Sequence, residues 1–231
     1  MDEGMHSHSA AAGALRPRDA RRRVVVLVVT LSALAVAAVV VIGRVSATPL
    51  PLLTRDPYDV FQGPAYIGFL SQAGLLLWAG AAVVCFFAAA VAEGDFRGRS
   101  LRWFFLSAGA IMLWLGIDDA LLLHERFLPN RGVPEAVVVV FHVAVLGGWF
   151  FRFFRLIIST DLVLFGMAVG FSALSVVLDF VGIESEWAFL GEDGAKFLGI
   201  AAWFGYFFCT ALAVVRRRQQ ECAGMADCGP D

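Results

Sequence analysis

The chain has 231 residues, 59% of them hydrophobic and only 16% charged, with 21 phenylalanines and a formal net charge of −2. Soluble domains are about half apolar and about a quarter charged, so a soluble globular fold is excluded. Near-neutral charge, with arginines in short clusters beside apolar runs, likewise excludes a nucleic-acid binder.

Charged borders mark out six apolar segments, at about 24–43, 65–92, 103–124, 134–151, 162–181 and 195–215. Pro64 and Pro134 stand where helices start and Pro129 where one ends, positions that tolerate a missing N–H. The expected fold is all-α, a polytopic bundle of six transmembrane helices over residues 23–216. A disordered cytoplasmic tail is expected at 1–22, including His6 and His8, and a second cytoplasmic tail at 217–231.

Arginine placement sets the expected orientation. With the N-terminus inside, thirteen of the eighteen basic residues fall on the inner side; Arg44, Arg55, Arg126, Arg131 and Lys196 fall on the outer side. Both termini are then cytoplasmic, in a bacterial-type inner membrane. The first segment, uncharged over 20 residues between Arg23 and Arg44, exceeds a signal-peptide core of about 7–15 residues and reads as an uncleaved helix. Cys85 and Cys209 lie within spans as small apolar residues, while Cys222 and Cys228 fall in the reducing cytoplasm. Tyr58, Phe61, Trp187 and Phe189 read as interfacial anchors. Gly166 and Gly170 form a GxxxG pattern expected to pack closely inside the bundle.

The chemistry concentrates at the end of the third span, in Gly116-Ile-Asp-Asp-Ala-Leu-Leu-Leu-His-Glu125. Asp118 is 16 residues beyond Arg102, about 24 Å along a helix, so Asp118 and Asp119 lie in the outer part of a hydrocarbon layer about 30 Å thick. The three leucines that follow predict that the helix continues past them. On a regular helix Asp118 and Glu125 share a face with Trp114 and Ile111, and Asp119 and His124 diverge to either side; His124 joins only if the helix loosens near Pro129. His142 and His124 are expected to differ in depth by about 10 Å.

Other spans add Gln72, the stripe Ser172, Ser175 and Asp179, and the opening Glu192-Asp193-Gly194-Ala195-Lys196 of the sixth, with Glu184 and Glu186 before it. The acids Glu192 and Asp193 suit a helix N-terminus. Every ionisable group within the spans thus belongs to their outer half.

Three readings follow. The first is a divalent-metal enzyme (zinc, manganese or iron) acting on a lipid or other amphiphile. Asp118, His142, Asp179 and His124 would be its ligands, and Glu125 or Glu192 its general base. Asp119, Asp193, Lys196, Gln72 and Ser175 would support them. The second is a proton- or cation-coupled transporter. In the third, a non-catalytic scaffold or complex subunit, the carboxylates pair with Arg126, Arg131 and Lys196. The lipid bilayer is the only partner that composition indicates.

Asp-Asp-Ala-Leu-Leu-Leu-His-Glu-Arg-Phe-Leu-Pro (118–129) and Glu-Asp-Gly-Ala-Lys-Phe-Leu-Gly-Ile (192–200) resemble stretches in a group of uncharacterised bacterial multi-pass membrane proteins. The resemblance covers roughly the third to sixth spans and implies that residues 118–125 and 192–196 act together. It brings no activity with it. The alkaline ceramidase and progestin-receptor-like superfamily sets His and Asp around zinc in a helical bundle, but the HxxxH of its last helix is missing here.

Overall fold

The computed structural model describes residues 17–55, 60–64, 66–92, 96–183 and 185–227. His6, His8, Tyr58, Glu184 and Cys228 lie outside the described residues. All regular structure within them is helical, and six helices are long and apolar enough to cross a membrane. The chain is an all-α, multi-pass membrane protein.

Residues 1–67 and 68–231 form two separate compact units. In the first, α1 (Pro17–Val45) is followed by the short α2 (Leu50–Thr54). The segment expected as disordered up to residue 22 is already helical from Pro17, because Arg21–Arg23 carry no helix breaker and continue into the valine run. The 18-residue window Val28–Val45 has a mean hydropathy of 2.4 and is only 6% buried, as suits a helix whose solvent is lipid.

The second unit holds α3 (Phe69–Val91), α4 (Phe96–Leu121), α5 (Glu135–Ile157), α6 (Leu162–Val181) and α7 (Glu186–Asp227). Helix α3 packs against α4 and α7, and α6 against α7. Close approach follows from small residues, since lipid offers little hydrophobic incentive for helices to associate. Ala81, Ala82, Cys85, Ala88 and Ala89 line the buried face of α3. A Cβ on Gly116 would stand 2.9 Å from Trp78 Cβ, and one on Gly199 would stand 2.9 Å from the backbone nitrogen of Ser172. Helix α5 joins the others mainly through rings: Trp149 stacks on Phe104 of α4 with centroids 5.0 Å apart, and Phe150 stacks on Phe165 of α6 at 5.8 Å.

Three expectations change. Gly166 and Gly170 face outward, with nothing within 4 Å of a Cβ at either, so this GxxxG is not a contact inside the bundle; α6 uses Ser172 against Gly199 instead. The sixth helix begins at Glu186, nine residues earlier than expected, with Ser185 Oγ accepting from the Ala188 N–H at 3.1 Å. Glu192 and Asp193 therefore sit well inside a helix and not at its N-terminus. Helix α7 also runs on through residues 217–227, and its 42 residues span about 63 Å, twice a bilayer core of about 30 Å.

The helix carrying Asp118 does not continue through the leucines. It ends at Leu121; Leu122 takes a left-handed conformation (φ 49°), and Leu123–Phe127 form a single π-helical turn. A 3₁₀ turn, Pro129–Arg131, and Gly132 at φ 88° then lead to Pro134 and α5. Leucine disfavours the left-handed region by about 1–2 kcal/mol, so the surrounding contacts must hold this break.

Candidate functional site

The break at Leu122 folds His124 back over the end of α4. There His124 Nδ1 meets Asp118 Oδ2 directly. Asp118 is 3% exposed, and its second oxygen, Oδ1, is buried without a hydrogen-bond partner among the described residues. Asp118 and Glu125, which a regular helix would set on one face, have different partners. Asp119 reaches instead to Lys196 of α7, with Nζ to Oδ1 2.5 Å, and Lys196 Nζ stands 3.6 Å from Glu125 Oε1. Glu125 Oε1 lies 3.5 Å from His124 Nε2. A chain of ionisable groups therefore runs Asp118, His124, Glu125, Lys196, Asp119 across two helices and the turn between α4 and α5.

The bond from Asp118 raises the pKa of His124 above its ordinary value, outweighing the opposing effect of burial; Glu125 adds to the rise and Lys196 opposes it. The fold also corrects the expected depth difference between the two imidazoles. Their rings lie 6.3 Å apart at an interplanar angle of 88°, because the π-turn carries His124 back into the bundle. His142 Nε2 accepts a hydrogen bond from Trp114 Nε1 at 2.8 Å. Trp114 also meets Phe141 edge-on at 6.4 Å.

Asp179 stands with a different set. Its neighbours are Glu135 at the start of α5 and Glu192 of α7. Among the described residues no three His, Cys, Asp or Glu side chains converge where one ion could be held. Asp118, His142, Asp179 and His124 thus do not form the expected metal donor set: Asp118 and His124 are bonded to each other, Trp114 occupies one nitrogen of His142, and Asp179 lies with other acids. Arg126 and Arg131 make no ion pair with the site carboxylates among the described residues; Arg131 lies over the Phe127 ring, 3.7 Å from its centroid. Of the cations expected to neutralise the acids, Lys196 alone does so.

A cleft of about 40 Å³ lies between α3, α4 and α7, lined by Ser71, Asp119, Asp193 and Lys196 with Leu70, Phe197 and other apolar groups. It has room for one or two waters. Gln72 is in the first turn of α3, next to Ser71, and Ser175 is buried on α6.

The family described as "Domain of unknown function (DUF8692)" matches residues 10–210. The chain belongs to this family. No curated protein and no solved structure matches it. The match covers α1 to α6, the first part of α7 and every residue of the charge network.

The partnership of Trp114 with His142 has no signature in the sequence: the two are 28 residues apart on different helices, and no local pattern links them. The break at Leu122 has none either, since a run of three leucines carries no turn chemistry.

Proposed function

We propose that this protein is a membrane-embedded hydrolase whose base is His124, oriented by Asp118, acting on a lipid or other amphiphile at the outer side of a bacterial-type inner membrane. The observation that carries the reading is the Asp118–His124 contact. A buried carboxylate that holds Nδ1–H leaves the lone pair of the neutral ring on Nε2, the arrangement that lets an imidazole accept a proton. In the reaction, His124 Nε2 takes a proton from water as the water oxygen bonds to the substrate's acyl carbon. The leaving group then departs with that proton.

Glu125 and Glu192 suit the base role less well. Glu125 is shared between Lys196 and His124, and Glu192 belongs with Asp179. An amphiphile would keep its chain in the lipid and bring only its reacting group to His124. Both termini would be cytoplasmic, because the arginine-rich helix ends oppose the acidic end.

The competing reading is a non-catalytic scaffold or complex subunit, favoured by the way Lys196 clamps Asp119. Purified protein assayed with p-nitrophenyl acyl esters separates the two. Turnover should fall about 10²–10⁴-fold in His124→Gln and Asp118→Asn while the folded protein persists. If wild type shows no turnover above His124→Gln and the substitutions alter only melting, the scaffold reading replaces this one. Stoichiometric zinc, manganese or iron in wild type, lost in His124→Gln, would replace it with metal-dependent chemistry.

A further inference from the structure

We propose that Trp114 sets the protonation state of His142, holding it as a neutral imidazole that carries its hydrogen on Nδ1. The indole N–H can only donate, and it stands 2.8 Å from His142 Nε2. A bond at that distance requires a lone pair on Nε2. The neutral ring then carries its hydrogen on Nδ1. Protonating His142 would set an N–H against an N–H and forfeit the bond.

The surroundings strengthen this constraint. Trp114 is 40% exposed on the surface of a membrane helix, where lipid offers its N–H no alternative acceptor. The charged and titratable groups facing His142 from the neighbouring elements are Asp118 of α4 and His124 of the π-turn. Asp118 is the anion among them, and its Oδ2 is engaged by His124 and not by His142. The indoles of Trp78 and Trp149 are buried with no partner for Nε1 among the described residues. That of Trp114 finds one on another helix, so the contact is not a general habit of indoles in this bundle.

The two imidazoles are thereby divided by their partners. A carboxylate holds one at Nδ1 and leaves Nε2 to accept a proton; an indole occupies Nε2 of the other and leaves Nδ1–H to donate. Beside the base, such a neutral donor suits the negative oxygen that develops on an attacked carbonyl. That last role rests on the hydrolase reading, whereas the protonation state does not. Trp114 acts through His142 and is a positioning residue.

Nitrogen-15 NMR of histidine-labelled protein in detergent tests the inference. The chain has four histidines, and His124→Gln and His142→Gln assign the two signals of interest. In wild type, His142 should remain a single neutral Nδ1–H tautomer from about pH 5 to 8. In Trp114→Phe, which keeps the aromatic bulk, two tautomers should mix and a titration should enter that range. An Nε2–H tautomer in wild type, a His142 that titrates there, or unchanged signals in Trp114→Phe would overturn the proposal. Should Trp114→Phe fail to fold, the wild-type tautomer alone decides. If the spectra behave as expected while wild type hydrolyses no ester, the hydrolase reading falls and this inference stands.

Discussion

Lys196 is the residue on which the charge network balances. Its amine holds Asp119 at 2.5 Å and approaches Glu125 at 3.6 Å. Removing one member of such a pair leaves the other charge uncompensated, typically a loss of about 3–5 kcal/mol. Lys196→Met and Asp119→Asn should each lower stability on that scale, and the double variant should lose less than the two single losses together. A double-mutant cycle by detergent-denaturant unfolding measures the coupling, and strict additivity would show that the pair is idle. At His124 the raised pKa carries a sign. The folded state binds this proton more tightly than the unfolded chain, so the stabilisation is complete below about pH 6.5 and is lost as pH rises through the raised folded value. Stability should therefore fall as the solution becomes alkaline, and His124→Gln should flatten the curve. If His124 is the base, ester turnover should rise over the same range in which stability falls, because only the neutral ring accepts a proton.

At the level of elements, the α6–α7 crossing and the outward face of α6 make opposite predictions for the same substitution. A methyl group on Gly199 meets the Ser172 backbone nitrogen at 2.9 Å, so Gly199→Ala must push α6 away. Overpacking of this kind typically destabilises by about 1–3 kcal/mol. Gly170→Ala adds a methyl group with nothing within 4 Å and should leave the melting temperature of the monomer unchanged or slightly raised. Equal losses at the two positions would contradict the assignment of faces. How far the sequence displays such features depends on whether their causes are local. The limits of α6 can be read from residues 162–181 because Asp161 closes its start, accepting from the Val163 and Leu164 N–H groups at 3.0 Å, and Gly182 closes its end at φ 64°. The end of α4 has no such signal. Leu121, Leu122 and Leu123 are alike in sequence, and nothing in the apolar pattern singles out Leu122, which alone of the three takes the left-handed conformation.

For the whole molecule, charge is segregated along the bundle axis. Asp118, Asp119, Glu135, Asp179, Glu192 and Lys196 gather near one end of the second unit. The arginines at the opposite ends of these helices, Arg102, Arg152, Arg155 and Arg216–Arg218, mark the side expected to face the cytoplasm. A fluorescent protein fused at the C-terminus should therefore fluoresce, and alkaline phosphatase fused after Arg131 should be active. The reverse pattern would invert the orientation and turn the polar site towards the cytoplasm. The same segregation leaves the opposite half of the bundle to rings such as Phe104, Trp149, Phe153 and Phe207, which pack a core.

The number of spans and the grouping of ionisable side chains towards one end follow from the sequence alone, because hydrocarbon excludes charge by a free energy large enough to register in composition. The partners within that group are a matter of tertiary structure. Asp118 and Asp119 are adjacent in sequence, yet one holds a histidine in its own turn and the other a lysine on the last helix. Which carboxylate meets which cation is decided by a left-handed leucine and by helix crossings a few ångströms wide, and neither has a counterpart in the pattern of apolar and polar residues.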